Sequence, residues 1–317
     1  MKKLIVIAIV LITGAFIIYL IPVTTREKIK ISSAAMKVSM QLNNPAKWMN
    51  WQPEIKTAFE KDSAQCSIIR DYKNHSFKIS TPLLSYSVKS LSSIHFEIIA
   101  VKKNKSLKYN LFLYTTPNIN LTEVFIETHI SLLDWLFSYG KHQTNKINFI
   151  DYLKSFMEND SLYYGFPIEI RKVADTNVAS LNKYVAIGEK FTVLDTVFKE
   201  LNEYVIYNQL TIMGAPMLQF TELLNDSISV LGMLSVNKQA NNKNKIHCMK
   251  MPVNGRMLVG YYKGKFKDRI KLYSSMQQYL LDKNIISIVN SYENYPNGKL
   301  PQNEDSVVEI ELYFPIL

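Results

Sequence analysis

The stretch Phe266-Lys-Asp-Arg-Ile-Lys-Leu-Tyr-Ser-Ser-Met-Gln-Gln-Tyr-Leu280 places Phe266, Ile270, Tyr273, Met276 and Leu280 on one face of a helix. An earlier stretch, Phe191-Thr-Val-Leu-Asp-Thr-Val-Phe-Lys-Glu-Leu-Asn-Glu-Tyr-Val205, does the same with Phe191, Leu194, Phe198, Leu201 and Val205, about 75 residues upstream. The same step carries Phe220 onto Tyr295. A strand-like stretch precedes each helix, at Ile168 to Tyr184 and at His247 to Tyr262. Two more follow each, near Ile212 to Glu222 and Ser227 to Val236, then Ile286 to Tyr295 and Ser306 to Ile316. The second half therefore reads as a duplicated β-α-β-β unit with a pseudo-twofold axis, both helices on one side of the sheet and a groove along the axis.

The first half has a different rhythm. Ile94, Phe96, Ile98 and Ala100 alternate, as do Leu107, Tyr109, Leu111 and Leu113, and then Thr122, Val124, Ile126, Thr128 and Ile130. Alternating strands joined by short polar turns predict an antiparallel sheet with one covered face. A helix over about 147–157, with Ile147, Ile150, Leu153 and Met157 on one side, supplies the cover. A chain of 317 residues exceeds one small core, so the expected fold class is α+β with two domains, residues 29–160 and 161–317.

Before them, Leu4 to Pro22 is an unbroken apolar run softened only by Thr13, Gly14 and Tyr19. As a helix it approaches the roughly 30 Å hydrocarbon thickness of a bilayer. It outruns a signal-peptide core, and no small-residue cleavage site follows, so residues 1–28 are expected to form a single-pass anchor in the cytoplasmic membrane with its flank. Lys2 and Lys3 face Arg26, Lys28 and Lys30 across the run, and the balance puts the body on the outer side.

The net charge of +10 is spread along the chain, with local runs at Lys102–Lys108, Lys238–Lys245 and Lys263–Lys271. No DNA-binding motif accompanies it, so no nucleic-acid partner is expected. Cys66 and Cys248 form neither a CxxC pair nor a disulfide framework. Glu123, Glu127 and His129 share a strand face without a further ligand nearby, the pattern of solvent-facing alternation, and no metal is expected. Phosphate-binding glycine loops and a GxSxG elbow are missing from the sequence, so no cofactor and no serine-type catalysis are expected.

Lys28-Ile-Lys-Ile-Ser-Ser-Ala-Ala-Met-Lys-Val38 followed by Asn44-Pro-Ala-Lys-Trp-Met-Asn-Trp-Gln-Pro53 resembles the opening of the SRPBCC, or polyketide-cyclase-like (START-like, helix-grip), family, through Trp48, Trp51 and Pro53. That resemblance implies a cavity for a hydrophobic ligand between sheet and terminal helix. Trp48 and Trp51 also read as plain core residues. In the second half, Lys250-Met-Pro-Val-Asn-Gly-Arg256, Tyr261-Tyr-Lys-Gly-Lys-Phe266, Tyr292-Glu-Asn-Tyr-Pro296 and Val308-Glu-Ile-Glu-Leu-Tyr-Phe-Pro-Ile316 resemble the GyrI-like small-molecule-binding domain, with Met213-Gly-Ala-Pro216 fitting the first repeat. Phe220 stands where the first repeat often has Tyr, and Lys265 replaces a usual Pro. Nothing N-terminal resembles a helix-turn-helix.

The resemblance implies that Glu293 lies in the central groove with Tyr295. A carboxylate walled by aromatic rings favours a cationic or hydrogen-bond-donating ligand. Tyr261, Tyr262 and Phe220 complete the expected ligand-binding set, with a small hydrophobic or cationic molecule as partner and no catalytic residue. Two alternatives stand beside it: a hydrolase using Glu293 as general base with a tyrosine, and a non-catalytic protein-interaction module.

Overall fold

The computed structural model describes residues 21–102, 105–132, 148–172, 177–251, 255–287 and 289–317. Residues 4–20 of the apolar run, Ile147 and residues 252–254 of the Lys250–Arg256 motif lie outside them. Among the described residues no helix is long and apolar enough to cross a membrane. The chain divides into two compact units, Met1–Asn159 and Asp160–Leu317, each α+β with its own antiparallel sheet.

The first unit runs β1 (Pro22–Ile31), α1 (Ala35–Asn43), α2 (Pro45–Trp51), α3 (Pro53–Lys61), β2 (Ser67–Asp71), β3 (Ser76–Ser80), β4 (Leu84–Ser92), β5 (His95–Lys102), β6 (Lys105–Thr115), β7 (Thr122–Ser131) and α4 (Phe149–Glu158). The sheet order is β1-β7-β6-β5-β4-β3-β2, a meander closed at one edge by the N-terminal strand. Two prolines start helices where a missing N–H costs nothing. Pro45 and Pro53 sit in first turns whose orphan donors, Ala46 N and Glu54 N, are taken by the side chains of Asn44 and Gln52.

β1 begins before the expected boundary at residue 28. Residues 22–28 form most of a strand paired with β7 from Pro22↔Ser131 to Ile31↔Thr122. The basic residues read as membrane-flanking are cross-strand ion partners: Arg26 meets Glu127 at 2.9 Å and Lys28 meets Glu123 at 2.7 Å. His129 Nδ1 pairs with Thr24 Oγ1 at 3.0 Å. Glu123, Glu127 and His129 are thus engaged by separate neighbours, and among the described residues no group of three such side chains is set to hold a metal.

α4 buries Phe149, Ile150, Leu153, Phe156 and Met157, and Phe149 meets Tyr86 of the inward face of the sheet at 5.8 Å between centroids. On the helix side, where the helix-grip resemblance implies a ligand cavity, aromatic rings of the described residues pack on one another. Trp48 lies 4.5 Å from Trp51, 4.8 Å from Tyr86 and 6.1 Å from Phe149 between centroids, and Tyr109 lies 5.3 Å from Phe149. Trp48 donates to Leu42 O at 3.0 Å, and the buried Gln52 donates to Tyr86 OH at 2.8 Å. Both tryptophans are core residues.

The second unit runs α5 (Asp160–Tyr164), β8 (Ile168–Lys172), β9 (Asn177–Ala186), α6 (Thr192–Tyr207), β10 (Met217–Glu222), β11 (Ser227–Val236), β12 (Ile246–Lys250), β13 (Arg256–Lys265), α7 (Ile270–Lys283), β14 (Tyr292–Asn294) and β15 (Val307–Ile316). Its strand order, β12-β9-β11-β10-β14-β15-β13-β8, is the same read from either end once the halves are exchanged. β9-α6-β10-β11 and β13-α7-β14-β15 are the two copies. At the centre Leu218 pairs with Glu293 and Met217 with Asn294, so the pseudo-twofold axis passes between Leu218 and Glu293.

Each helix lies on a cross-strand glycine–leucine pair. Gly232 faces Leu181 under α6, and Gly260 faces Leu312 under α7. A Cβ on Gly232 would stand 2.3 Å from Val197 Cγ1, and one on Gly260 2.4 Å from Met276 Sδ, so both glycines are required by close approach of helix to sheet. The copies differ in one connection. Residues 223–226 join β10 to β11, whereas residues 295–306 join β14 to β15 and pack Leu300 against the core.

Candidate functional site

The site begins with strand alternation. On β14 Glu293 points to the helix side of the sheet while Tyr292 and Asn294 point away, opposite Tyr313 and Glu311. Tyr295, just beyond β14, returns to the helix side. Above them the turn Phe266–Arg269 leads into α7, which places Tyr273 one helical turn after Arg269.

These four side chains converge. Glu293 has no solvent exposure, and its carboxylate accepts from Arg269 Nε at 2.6 Å and Tyr273 OH at 2.7 Å on one oxygen, and from Tyr295 OH on the other. The Arg269 guanidinium carbon lies 3.4 Å from the Phe266 ring centroid and 5.6 Å from that of Phe220, and Nη1 donates to Phe266 O at 3.1 Å. Burial pushes the Tyr295 and Tyr273 hydroxyls well above their ordinary range, and the adjacent Glu293 charge pushes further in the same direction. Both phenols therefore stay protonated and donate.

A second cation flanks the same ring. Lys190 lies 5.0 Å from the Phe191 centroid and 5.8 Å from that of Phe266, and pairs with Glu304 in the long β14–β15 connection. Phe191 and Phe266, equivalent in the two copies, meet edge to face at 5.3 Å. The groove along the axis is thus closed by an aromatic pair carrying the chain's own cations.

Of the expected ligand-binding residues, the structure brings together Glu293, Tyr295 and Phe220. Tyr262 is on the helix side, but its hydroxyl donates to Lys265 O and its ring faces Phe166 at 6.2 Å, away from Glu293. Tyr261 is a correction. Adjacent residues of β13 face opposite ways, and its hydroxyl meets Arg171 and Glu169 on the far side of the sheet.

Sequence reasoning missed Arg269 and assigned Tyr273 to the helix core. The signal was present in the repeat. Arg269, Tyr273, Glu293 and Tyr295 align with Leu194, Phe198, Leu218 and Phe220, so four polar residues replace four apolar ones. In the first copy Leu194, Phe198 and Leu218 are buried core.

No family model matches the chain, and no curated protein matches it. Among solved structures, the C-terminal domain of EcmrR is similar at 16% identity over 48% of this chain and 98% of that one, with a TM-score of 0.39. A hydrolase from Listeria innocua is similar at 9% identity over 47% and 91%, TM-score 0.36. SAV2435 bound to tetraphenylphosphonium is similar at 8% identity over 48% and 94%, TM-score 0.29. With every score below 0.5, the functional reading falls to the geometry of the site itself.

Proposed function

We propose that the chain is a small-molecule-binding protein whose second unit, a GyrI-like duplicated β-α-β-β domain, takes an organic cation at Glu293. In the same reading the first unit is an SRPBCC-like helix-grip domain, and residues 4–22 tether the chain to the cytoplasmic membrane, as their apolar length suggests. The observation that carries the cation reading is the contrast between the two copies. The first copy closes the same architecture with Leu194, Phe198 and Leu218, so a buried carboxylate, a guanidinium and two phenols are not needed to build the fold. Buried ion pairs replaced by apolar residues are commonly neutral or stabilising, so their presence at the axis points to recognition.

The chemistry fits a cation. Glu293 offers a fixed negative charge, Phe266 and Phe220 offer ring faces, and the two tyrosine hydroxyls hold the carboxylate in place. The hydrolase alternative fits less well, because a carboxylate already accepting from three donors is badly placed to draw a proton from water. The reading is tested by calorimetric titration of the full chain with phenylguanidinium and with benzyltrimethylammonium. Saturable binding of either, weakened at least about tenfold, or about 1.4 kcal/mol, in Glu293→Gln, supports it. Absence of binding by both, to the wild type and to Arg269→Ala alike, overturns it.

A second reading is favoured by the completeness of Glu293's internal hydrogen bonding. In it the cluster is a structural ion pair of a protein-interaction module. It expects no cation-dependent heat at any concentration.

A further inference from the structure

Resting on the cation reading, we infer that the ligand is a planar guanidinium- or amidinium-type cation that enters by exchanging places with Arg269, the chain's own occupant of the site. The resident side chain displays the contacts such a ligand makes. Its plane lies against Phe266 with the guanidinium carbon 3.4 Å from the ring centroid, Nε donates to Glu293 Oε1 at 2.6 Å, and Nη1 donates to the Phe266 carbonyl at 3.1 Å. One group thus satisfies a carboxylate and a carbonyl lying at its edge while its face covers a ring. A guanidinium does this because its donors are in plane and its face is weakly hydrated. A quaternary ammonium has no donor for either oxygen, and a primary ammonium has no flat face.

Exchange is feasible because the two partners are unequally buried. The Arg269 side chain keeps 18% exposure at the start of α7, whereas Glu293 has none. Arg269 can swing toward water on its flexible stem. Glu293 cannot follow and is left needing a cation, which the incoming ligand supplies. The copy-to-copy comparison points the same way, since Leu194 at the matching position is 2% exposed and plugs its half of the groove with no charge to exchange.

The occupant acts as an intramolecular competitor. If the swung-out form is populated at about 0.1–10%, as minor conformers commonly are, wild-type affinity is lower by about 10- to 1,000-fold than that of a chain lacking the side chain.

The experiment is calorimetric titration of the full chain, wild type and Arg269→Ala, with phenylguanidinium and benzyltrimethylammonium at equal concentrations. Phenylguanidinium is expected to bind Arg269→Ala at least about tenfold tighter than wild type, and at least about tenfold tighter than benzyltrimethylammonium does. Adding Glu293→Gln to Arg269→Ala should abolish the gain, which also separates binding from general denaturant action. Should Arg269→Ala not fold, Arg269→Lys serves, since lysine keeps a positive charge but has no flat face to cover the Phe266 ring, and phenylguanidinium is again expected to bind tighter than to wild type. Preference for benzyltrimethylammonium, or equal phenylguanidinium affinity with and without Arg269, overturns the exchange inference while the cation reading stands. No binding of either probe to any of these variants overturns both.

Discussion

Arg269 and Glu293 form one ion pair, yet removing the cation and removing the anion should cost different amounts. Arg269→Ala leaves a carboxylate that the fold otherwise buries completely, with only Tyr273 and Tyr295 as side-chain donors. Breaking a buried pair in this way costs about 3–5 kcal/mol. Glu293→Gln leaves a guanidinium at 18% exposure, still stacked on Phe266 and able to turn to solvent, while glutamine keeps an acceptor for one tyrosine. The loss is then nearer 1–2 kcal/mol, the scale of weakened charge-assisted hydrogen bonds. The double variant should cost less than the sum by about 2 kcal/mol, since the two groups are in direct contact. Native-state hydrogen exchange of peptides from α7 and β15 reads this directly. At about 1.4 kcal/mol per decade, Arg269→Ala should speed exchange there by about 10²-fold to several thousand-fold. The urea midpoint of tryptophan fluorescence is the internal control, because Trp48 and Trp51 are core residues of the first unit and no tryptophan occurs in residues 160–317. If Glu293→Gln proves the costlier change, or the two add without coupling, the account of unequal burial is refuted.

Other expectations follow from single contacts. Gly232→Ala drives a methyl into Val197, whose branched side chain has few rotamers, and should cost about 2–3 kcal/mol, whereas Gly260→Ala meets the flexible Met276 and should cost about 1–2 kcal/mol; the reverse order in hydrogen exchange of the second unit would contradict this. Tyr86→Phe strands the buried Gln52 amide and should lower the first unit's stability by about 1–3 kcal/mol, read as a shifted urea midpoint of the nearby tryptophans. Burial and the Glu293 charge raise the Tyr273 and Tyr295 hydroxyls in the folded chain, so their contribution is intact below the unfolded value near 10 and is lost as pH climbs above it. Absorbance titration at alkaline pH should show phenolate from these two only as the second unit unfolds, and Tyr273→Phe should flatten the alkaline fall in stability.

Much of the architecture was legible because it is written as a period. Met276 and Leu280 form a buried face of α7 with Phe266 in the turn before it, although Ile270 of the same expected face is 61% exposed, and the alternation of Phe96, Ile98 and Ala100 is the inward row of β5. Periodicity, however, does not mark where a strand starts. β1 begins at Pro22, inside what composition assigns to a membrane flank, because its basic residues find Glu123 and Glu127 on a strand about a hundred residues away. The helix-grip resemblance located the aromatic residues Trp48 and Trp51 but implied a cavity where they and Tyr86 and Phe149 pack ring to ring. Space left between elements depends on side-chain volumes summed over several elements, which local pattern does not encode.

By itself the sequence pointed to two α+β halves, a duplication in the second, and, by strand alternation, an acid group sharing one face of the last hairpin with Tyr295. Only the tertiary structure decided what meets that acid. Tyr261 is carried to the opposite face, while Arg269 and Tyr273 arrive from a separate helix turn to meet the buried carboxylate. The reason is range: alternation and helical period act over a few residues, whereas the partner of a buried charge is chosen by whichever group the packed fold brings within hydrogen-bond reach.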